Sequence, residues 1–370
     1  MKNLTFLAAL AVLLSACTPP ITEISGGDPD ITYIGRTDFS DQNAPKQWAA
    51  GGYFTFGFEG GACALGISDE NPNSRRANIL EIAVDDLPSM PVITKDSATG
   101  IIIGKPNADL IKCIGGDYVS CFPDLKPGIH HVTVCRNTET AMGYTKVNGI
   151  LAQKVFKWTP DTKLKIEFIG NSITCGAESD TTMMPSKDYQ WGDWHRAYYG
   201  YGPLTARKLN AQWSLVSVSG IGLIRSCCDM GVTMPQVYDK YVLRYDQKQY
   251  DFSTFKPNVV CICLGQNDGI QDSTAFCDAY VDFVKKVNTI NRDLQQIVLL
   301  TSPMANPELR EWQIRMLTAI EQRLKDEGVG NVCKYFFTRA WNSGGASHPS
   351  VEEHEQIADE LTNYLKTVLK

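Results

Sequence analysis

A serine follows a predicted buried strand, at a place where its hydroxyl could react. Residues 164–169 form an apolar run, Gly170-Asn171-Ser172 comes directly after it, and Gly176 follows soon after. A turn of this kind can lift a hydroxyl out of the carboxyl edge of a parallel sheet, where open α/β folds place their chemistry. Because serine alone is a poor nucleophile, this role of Ser172 requires a base and an oxyanion site elsewhere. The alternative is a serine that caps the N-terminus of the next helix.

The base is sought among the histidines, of which the chain has five: His130, His131, His195, His348 and His354. His130 and His131 lie in the predicted N-terminal β domain. His195 lies in an aromatic-rich loop, and His354 lies inside the last predicted helix. His348 lies in the loop after the fifth strand of the α/β half, so it can approach the sheet edge of Ser172. An imidazole has a near-neutral pKa and can take the hydroxyl proton and return it to a leaving alcohol. We predict that His348 is the base rather than a structural histidine.

Three short motifs resemble, in this order, the sequence blocks of the SGNH or GDSL-type hydrolases. They are Gly170-Asn171-Ser172, Gly265-Gln266-Asn267-Asp268 and His348-Pro349, and the block between the first two fits Ser219-Gly220-Ile221-Gly222. Upstream, three segments resemble the β-sandwich of carbohydrate esterase family 2; they begin at Tyr33, Gly128 and Arg136. The resemblance covers roughly residues 31 to 370, and the ordered set is far more specific than any single motif.

The resemblance implies three donors for an oxyanion: the backbone N–H groups of Ser172 and Gly220 and the side chain of Asn267. Gly220 fits this role because a backbone amide can approach a substrate closely where no Cβ intervenes. A plain turn glycine is the alternative for Gly220, and Gly222 competes for the same assignment. Asn267 and Asp268 together could instead form an Asx turn at a strand end. We predict an oxyanion role for Asn267 and a structural role for Asp268.

One position departs from the commoner pattern of the superfamily. The acid that orients the histidine usually stands three residues before it, and here that residue is Gly345. Ala346 and Ser347 offer no carboxylate either. Some members of carbohydrate esterase family 2 use a serine–histidine pair with a backbone carbonyl in place of the acid. The resemblance therefore implies a dyad of Ser172 and His348.

Aromatic residues cluster over residues 189–195 and recur at Trp341. A loop tryptophan most often packs half-buried, but its flat apolar face can also contact a sugar ring. Trp194 and Trp341 are the candidates for such a substrate contact, and the sequence does not choose between them.

The elements that position these residues fall into two halves. Residues 31–158 show short alternating runs broken by Gly, Pro, Asp and Asn, which predicts an antiparallel, jelly-roll-like β-sandwich. Residues 159–370 alternate apolar strands with helical patterns, which predicts a doubly wound α/β domain with a parallel sheet. Its strand candidates are 164–169, 213–218, 258–264, 297–301 and 332–337.

The N-terminus predicts export. Lys2 precedes an apolar run that has the length of a signal-peptide core and is too short to span a bilayer. The ending Leu14-Ser15-Ala16-Cys17 resembles a bacterial lipobox, which implies a signal peptide over residues 1–16 and a lipidated Cys17. Residues 17–30, rich in Pro, Gly and acidic side chains, would then be the lipidated tether of a cell-envelope protein. The alternative is an ordinary secretory signal with an incidental cysteine.

Composition limits the possible partners. A length of 370 residues favours two domains, and a net charge of −6 argues against a nucleic-acid partner. This charge suits a neutral or esterified polymer better than a polyanion. Eleven of the twelve cysteines follow Cys17, so at least one is unpaired within the chain. Cys113 and Cys121 are close enough in sequence to bridge, whereas Cys261 and Cys263 are expected in the core.

Together these features predict a serine esterase that removes O-acetyl groups from a xylan- or mannan-type polysaccharide through an acetyl-serine intermediate. The resemblance implies no metal and no organic cofactor. One alternative is a lipase or thioesterase of the same superfamily, although the upstream domain resembles that of sugar esterases. Another is a carbohydrate-binding lipoprotein with a decayed active site. The missing acid at Gly345 supports that second alternative, and the presence of Ser172, Gly220, Asn267 and His348 argues against it.

Overall fold

The structure is a computed structural model that describes residues 21–369, except for 62, 71–77, 86, 94–102, 105–117, 122–124, 184–188 and 245–247. The predicted signal peptide, Cys17 and the side chains of the possible Cys113–Cys121 bridge lie outside the described residues. Within the described part, no helix combines the length and the hydropathy that a membrane span requires.

The N-terminal half is a β-sandwich, as predicted. Its described strands are β1 (Thr22–Ser25), β2 (Thr32–Ile34), β3 (Thr37–Asp38), β4 (Lys46–Gln47), β5 (Tyr53–Gly60), β6 (Cys63–Asp69), β7 (Ile79–Val84), β8 (Met90–Ile93), β9 (Ile103–Gly104), β10 (Tyr118–Cys121), β11 (Gly128–Arg136), β12 (Thr145–Ala152) and β13 (Lys154–Phe156). One antiparallel sheet has the order β10-β6-β12-β4-β3, with β1 paired to β12. The other has the order β13-β5-β11-β7-β8-β9, with β2 paired to β5.

Strand β5 shows how the sandwich joins the rest of the chain. Phe54, Phe56 and Phe58 point to one face of the strand and pack in the core between the two sheets. Tyr53 points to the other face and stacks on Trp213 of the α/β half, with ring centroids 4.0 Å apart. The indole Nε1 of Trp213 donates to the carbonyl of Gly51 at 2.9 Å. The outer face of this sheet is therefore buried against the second domain.

The described part of the predicted tether is not wholly free of the sandwich. Residues 22–25 form strand β1, which pairs with β12 in antiparallel register. Gly26 continues this pairing by donating its N–H to the carbonyl of Asn148 at 2.9 Å. The composition suggested a flexible segment, but hydrogen bonds to a neighbouring strand form through the backbone and do not require apolar side chains. A tether can therefore end no later than residue 21.

The second half has a five-stranded parallel sheet with helices on both faces, which confirms the predicted doubly wound α/β fold. Its strands are β14 (Leu164–Gly170), β15 (Ala211–Ser217), β16 (Val259–Ile262), β17 (Gln296–Leu300) and β18 (Val332–Tyr335), in the spatial order β15-β14-β16-β17-β18. The sheet order reverses between β14 and β16, and such a switch point opens a crevice at the carboxyl ends of the strands. Strands β15 to β18 all end one or two residues before their predicted apolar runs do, and the residues beyond enter the loops of this crevice.

The α-helices cover the sheet in two groups. They are α1 (Tyr201–Lys208), α2 (Met234–Val237), α3 (Ser273–Ile290), α4 (Pro307–Asp326) and α5 (Val351–Val368). Helices α1 and α5 pack with Phe168 on one face, whereas α3 and α4 pack with Ile169 on the other. Helix α5 begins with a capping box, in which Ser350 accepts the N–H of Glu353 and Glu353 accepts the N–H of Ser350. This cap fixes the chain directly after His348.

Candidate active site

Ser172 and His348 meet at the carboxyl edge of the parallel sheet. The hydroxyl of Ser172 lies 2.9 Å from Nε2 of His348. Ser172 stands in the turn directly after β14, and His348 precedes the cap of α5. Residues 176 positions apart in sequence thus come within hydrogen-bond distance because both loops leave the same edge of the sheet.

A backbone carbonyl orients the histidine. The carbonyl oxygen of Gly345 lies 3.2 Å from Nδ1 of His348. A proton on Nδ1 satisfies this contact and leaves Nε2 free to accept the proton of Ser172. The N–H of Gly345 donates to the carbonyl of Glu178 at 2.7 Å, which holds the residue from its other side.

The position of the usual acid has no room for a side chain. A Cβ on Gly345 would lie 2.8 Å from Cε3 of Trp194 and 2.9 Å from Oε2 of Glu178, closer than real Cβ contacts. Ala346 and Ser347 then turn the chain with left-handed φ angles of 46° and 59°, a conformation that costs L-residues free energy and persists only where the surroundings fix it. The loop that lacks the usual carboxylate is therefore well packed and has an unusual backbone conformation.

The environment of His348 keeps the base neutral. Burial lowers its pKa below the ordinary value of 6.5, the nearby His195 lowers it further, and the Gly345 carbonyl only partly opposes them. Close to neutral pH the imidazole is thus unprotonated and able to accept the proton of Ser172.

The expected oxyanion donors lie around the same hydroxyl. Ser172, Gly220 and Asn267 all line one pocket. Gly220 has a φ of 83°, which favours glycine, and a Cβ there would lie 3.0 Å from Sγ of Cys227. Nδ2 of Asn267 donates one proton to the carbonyl of Ile221 at 2.8 Å. Its second proton remains available for an oxyanion.

Asp268 and Gly222 organise the loop behind these donors. The buried carboxylate of Asp268 accepts the backbone N–H groups of Leu223, Ile224 and Arg225 at 2.7 to 3.0 Å. A Cβ on Gly222 would lie 2.6 Å from Oδ2 of the same carboxylate. Gly222 is not among the described residues of the pocket wall, so of the two glycines only Gly220 is placed to donate to a substrate.

The sandwich contributes a carboxylate that the sequence did not reveal. Glu139 lies just after β11, is almost fully buried, and accepts the N–H of Ser219 at 2.7 Å. Its other oxygen lies 3.5 Å from Nε2 of the buried His195. Burial raises the pKa of Glu139, but His195 and the Ser219 amide outweigh it and lower the pKa to about 2. The ionised carboxylate therefore holds Ser219, the residue directly before Gly220.

The pocket has a volume of about 440 Å³, within the range of small-molecule sites. Its wall comprises Glu139, Ala141, Ser172, Trp191, Ser219, Gly220, Cys227, Cys228, Arg244, Asn267 and His348. Cys227 and Cys228 form a disulfide between neighbouring residues.

Known proteins share both halves of this arrangement. The family profile described as carbohydrate esterase 2 N-terminal matches residues 33–160, which covers the sandwich. A solved family two carbohydrate esterase from Clostridium thermocellum, in complex with cellohexaose, superimposes with a TM-score of 0.75 at 27% identity and covers 92% of this chain and 99% of its own. Both halves of the chain thus resemble those of carbohydrate esterase family 2.

Curated relatives of this esterase extend over most of its length. The cellulase/esterase CelE of Acetivibrio thermocellus is 28% identical over 92% of this chain, and the chain spans only 40% of that relative. An acetylxylan esterase / glucomannan deacetylase of Cellvibrio japonicus is 27% identical over 85% of this chain and 83% of its own length.

One of the two tryptophan contacts considered from the sequence, that of Trp341, is wrong. Trp341 is only 1% exposed; it packs on Phe337, and its Nε1 donates to Gln356 at 3.2 Å. Trp194 stacks on Tyr189 beneath Gly345 and is not among the described residues of the pocket wall. Trp341 is therefore a packing residue, whereas a sugar contact of the half-buried Trp194 stays a prediction. Trp191, from the same aromatic cluster, lines the pocket instead.

The remaining histidines of this esterase lie away from Ser172. His354 is fully buried in α5, where Nδ1 accepts the N–H of Tyr201 at 3.1 Å and burial lowers its pKa to about 3. His130 and His131 belong to β11 of the sandwich. Among the described side chains, no group of three or more His, Cys, Asp or Glu is arranged to hold a metal ion.

Proposed function

We propose that this carbohydrate esterase removes O-acetyl groups from a xylan- or mannan-type polysaccharide. The observation that carries the proposal is the 2.9 Å contact between Ser172 and His348 in a pocket that also holds Gly220 and Asn267. The Cellvibrio relative, named an acetylxylan esterase / glucomannan deacetylase, supports the substrate class.

The geometry supports a two-step acyl transfer. Oγ of Ser172 attacks the ester carbonyl while Nε2 of His348 takes its proton, and the negative oxygen forms near the N–H groups of Ser172 and Gly220 and Nδ2 of Asn267. His348 then gives the proton to the sugar oxygen, which leaves as an alcohol. Water attacks the acetyl-serine, His348 takes the water's proton and returns it to Oγ, and acetate departs.

A binding protein with a decayed site is the less favoured alternative. A decayed site would not need to keep the contact between Ser172 and His348. The usual carboxylate is absent from the sequence, but the carbonyl of Gly345 takes its place as the acceptor that orients His348. A lipase is disfavoured by the Cellvibrio relatives, which are named as deacetylating esterases.

The test is acetate release from acetylated xylan and acetylated glucomannan, together with rates for 4-nitrophenyl acetate, butyrate and octanoate. We expect acetate release and a steep fall in kcat/KM from acetate to butyrate, because each added methylene changes binding in a fitted acyl site by roughly 1–3 kcal/mol. A preference for octanoate would assign the chain to lipases. Polysaccharide binding without acetate release would instead favour the binding protein.

We further propose that the mature protein is anchored in the cell envelope by a lipid on Cys17. The support is the lipobox-like ending of the apolar N-terminal run. Cys17→Ser is expected to abolish labelling by a radioactive fatty acid and to release the protein from the membrane fraction, with Cys277→Ser as a matched control. An unlabelled wild-type protein that fractionates as the variant does would refute the anchor.

A further inference from the structure

One charged side chain of the pocket has no role in the reaction described above. Arg244 lines the pocket together with Ser172 and His348. No hydrogen bond or ion pair joins its guanidinium to another described residue, and its Nε is buried without an acceptor. Unlike the buried Nε, the two terminal nitrogens are not closed off from the pocket, so a ligand that supplies acceptors there gains charged hydrogen bonds.

The terminal nitrogens of the buried arginines in the described part have acceptors. Those of Arg36 donate to the carbonyls of Lys240 and Tyr238, although its Nε also lacks an acceptor. Arg136 donates to backbone carbonyls from its Nε and from both terminal nitrogens. Arg196 pairs with Glu81 and Asp180. The acidic group of the pocket, Glu139, is already held by His195 and the Ser219 amide. Among the described residues of the pocket wall, the charge that a substrate meets without a compensating partner is therefore that of Arg244.

We propose that Arg244 binds the carboxylate of a uronic acid carried by the polysaccharide beside the acetylated sugar. The two terminal nitrogens of a guanidinium form a planar fork that matches the two oxygens of a carboxylate. A sugar hydroxyl or the acetyl carbonyl offers one oxygen and leaves one arm of the fork unfilled. This inference rests on the proposed function and names the substrate class of the same site.

A uronic acid branch is also compatible with the charge of the whole protein. A net charge of −6 disfavours a chain that is acidic at every sugar. A single carboxylate on an otherwise neutral chain needs only one positive group, and Arg244 in the pocket supplies it. When Arg244 binds the branch, it selects which acetylated sugar reaches Ser172. Ser172 and His348 alone carry out the reaction.

The first experiment compares two matched substrates. Acetylated xylo-oligosaccharides with a glucuronic acid branch are set against the same oligosaccharides after the carboxyl has been reduced to an alcohol. The wild-type protein is expected to favour the acidic substrate in kcat/KM by roughly tenfold or more, the size of a charged hydrogen-bonded contact. Arg244→Met should bring this ratio to about one, and Arg244→Lys should leave an intermediate ratio because the charge stays and the fork is lost.

Since the ratio is measured on one protein at a time, a general loss of activity cancels. The exposed Arg225, which is not among the described residues of the pocket wall, provides the matched control, and Arg225→Met should keep the wild-type ratio. A wild-type ratio of one, or an equal ratio in wild type and Arg244→Met, overturns the proposal.

The second experiment separates this inference from the proposed function. Calorimetric titration of the Ser172→Ala variant with both oligosaccharides measures binding without hydrolysis. Tighter binding of the acidic oligosaccharide that disappears in Ser172→Ala/Arg244→Met supports the uronate site, even if the wild type releases no acetate. Acetate release with equal binding of the two oligosaccharides keeps the esterase and refutes the uronate site.

Discussion

Replacing Ser172 or His348 by alanine is expected to remove nearly all ester hydrolysis, and the double variant should be no slower than either single variant. The two side chains form one proton-transfer unit across a 2.9 Å contact, so loss of either one stops the same step. For residues that act as a unit the losses do not add, and each reaches the order of 10⁶-fold in kcat. Initial rates with 4-nitrophenyl acetate measure both effects.

Controls for this experiment come from the same residue types away from the pocket. Ser253→Ala and His131→Ala change an exposed and a half-buried residue and should keep wild-type rates. Thermal melts show whether each variant is folded. A double variant that is a further 100-fold slower than the single ones would mean that Ser172 and His348 act independently, and the dyad would have to be abandoned.

Placing the usual acid at Gly345 is expected to abolish activity rather than restore a triad. A Cβ at position 345 would lie 2.8 Å from Trp194 and 2.9 Å from Glu178. An aspartate or an alanine there would therefore displace the backbone carbonyl that orients His348. A displacement of about 1 Å costs on the order of 10²-fold in rate. Gly345→Asp and Gly345→Ala should therefore both fall by at least that factor in kcat, with Asp no better than Ala.

Gly345→Ala separates the effect of the added Cβ from that of the carboxylate. Gly330→Asp adds the same side chain where a Cβ meets nothing within 4 Å, and it should retain wild-type kcat. Melting curves again accompany the rates. Should Gly345→Asp equal or exceed the wild type while Gly345→Ala is impaired, a carboxylate can serve this histidine and the backbone-carbonyl account is wrong.

The sequence was sufficient for the layers of the fold. Burial on both faces makes β14, β16 and β17 nearly continuous apolar runs, and helices α3, α4 and α5 carry apolar residues at helical spacing, so both element types are visible locally. The sequence was less informative for β1. Its pairing with β12 is a backbone interaction between residues about 130 positions apart, and composition does not encode such a contact.

The site was predictable where its residues follow strands. Ser172, Gly220 and Asn267 come after β14, β15 and β16, so the topology brings them together without knowledge of side-chain packing. Burial in loops is set by distant partners, which explains why Trp341 was wrongly considered as a sugar contact. The same limit hid Glu139 and Arg244, whose proximity to Ser172 depends on how separate segments fold over the sheet.

The position of Glu139 bears on how proteins of this architecture can be recombined. Its carboxylate crosses from the sandwich to the Ser219 amide, one residue before Gly220, and its neighbour in the pocket wall, Ala141, comes from the same segment. A hydrolase half grafted onto a foreign sandwich would leave that amide without its acceptor, at a cost of about 1–3 kcal/mol if it stays buried. The sandwich is thus no interchangeable accessory module, and a chimera must transplant both halves as a pair.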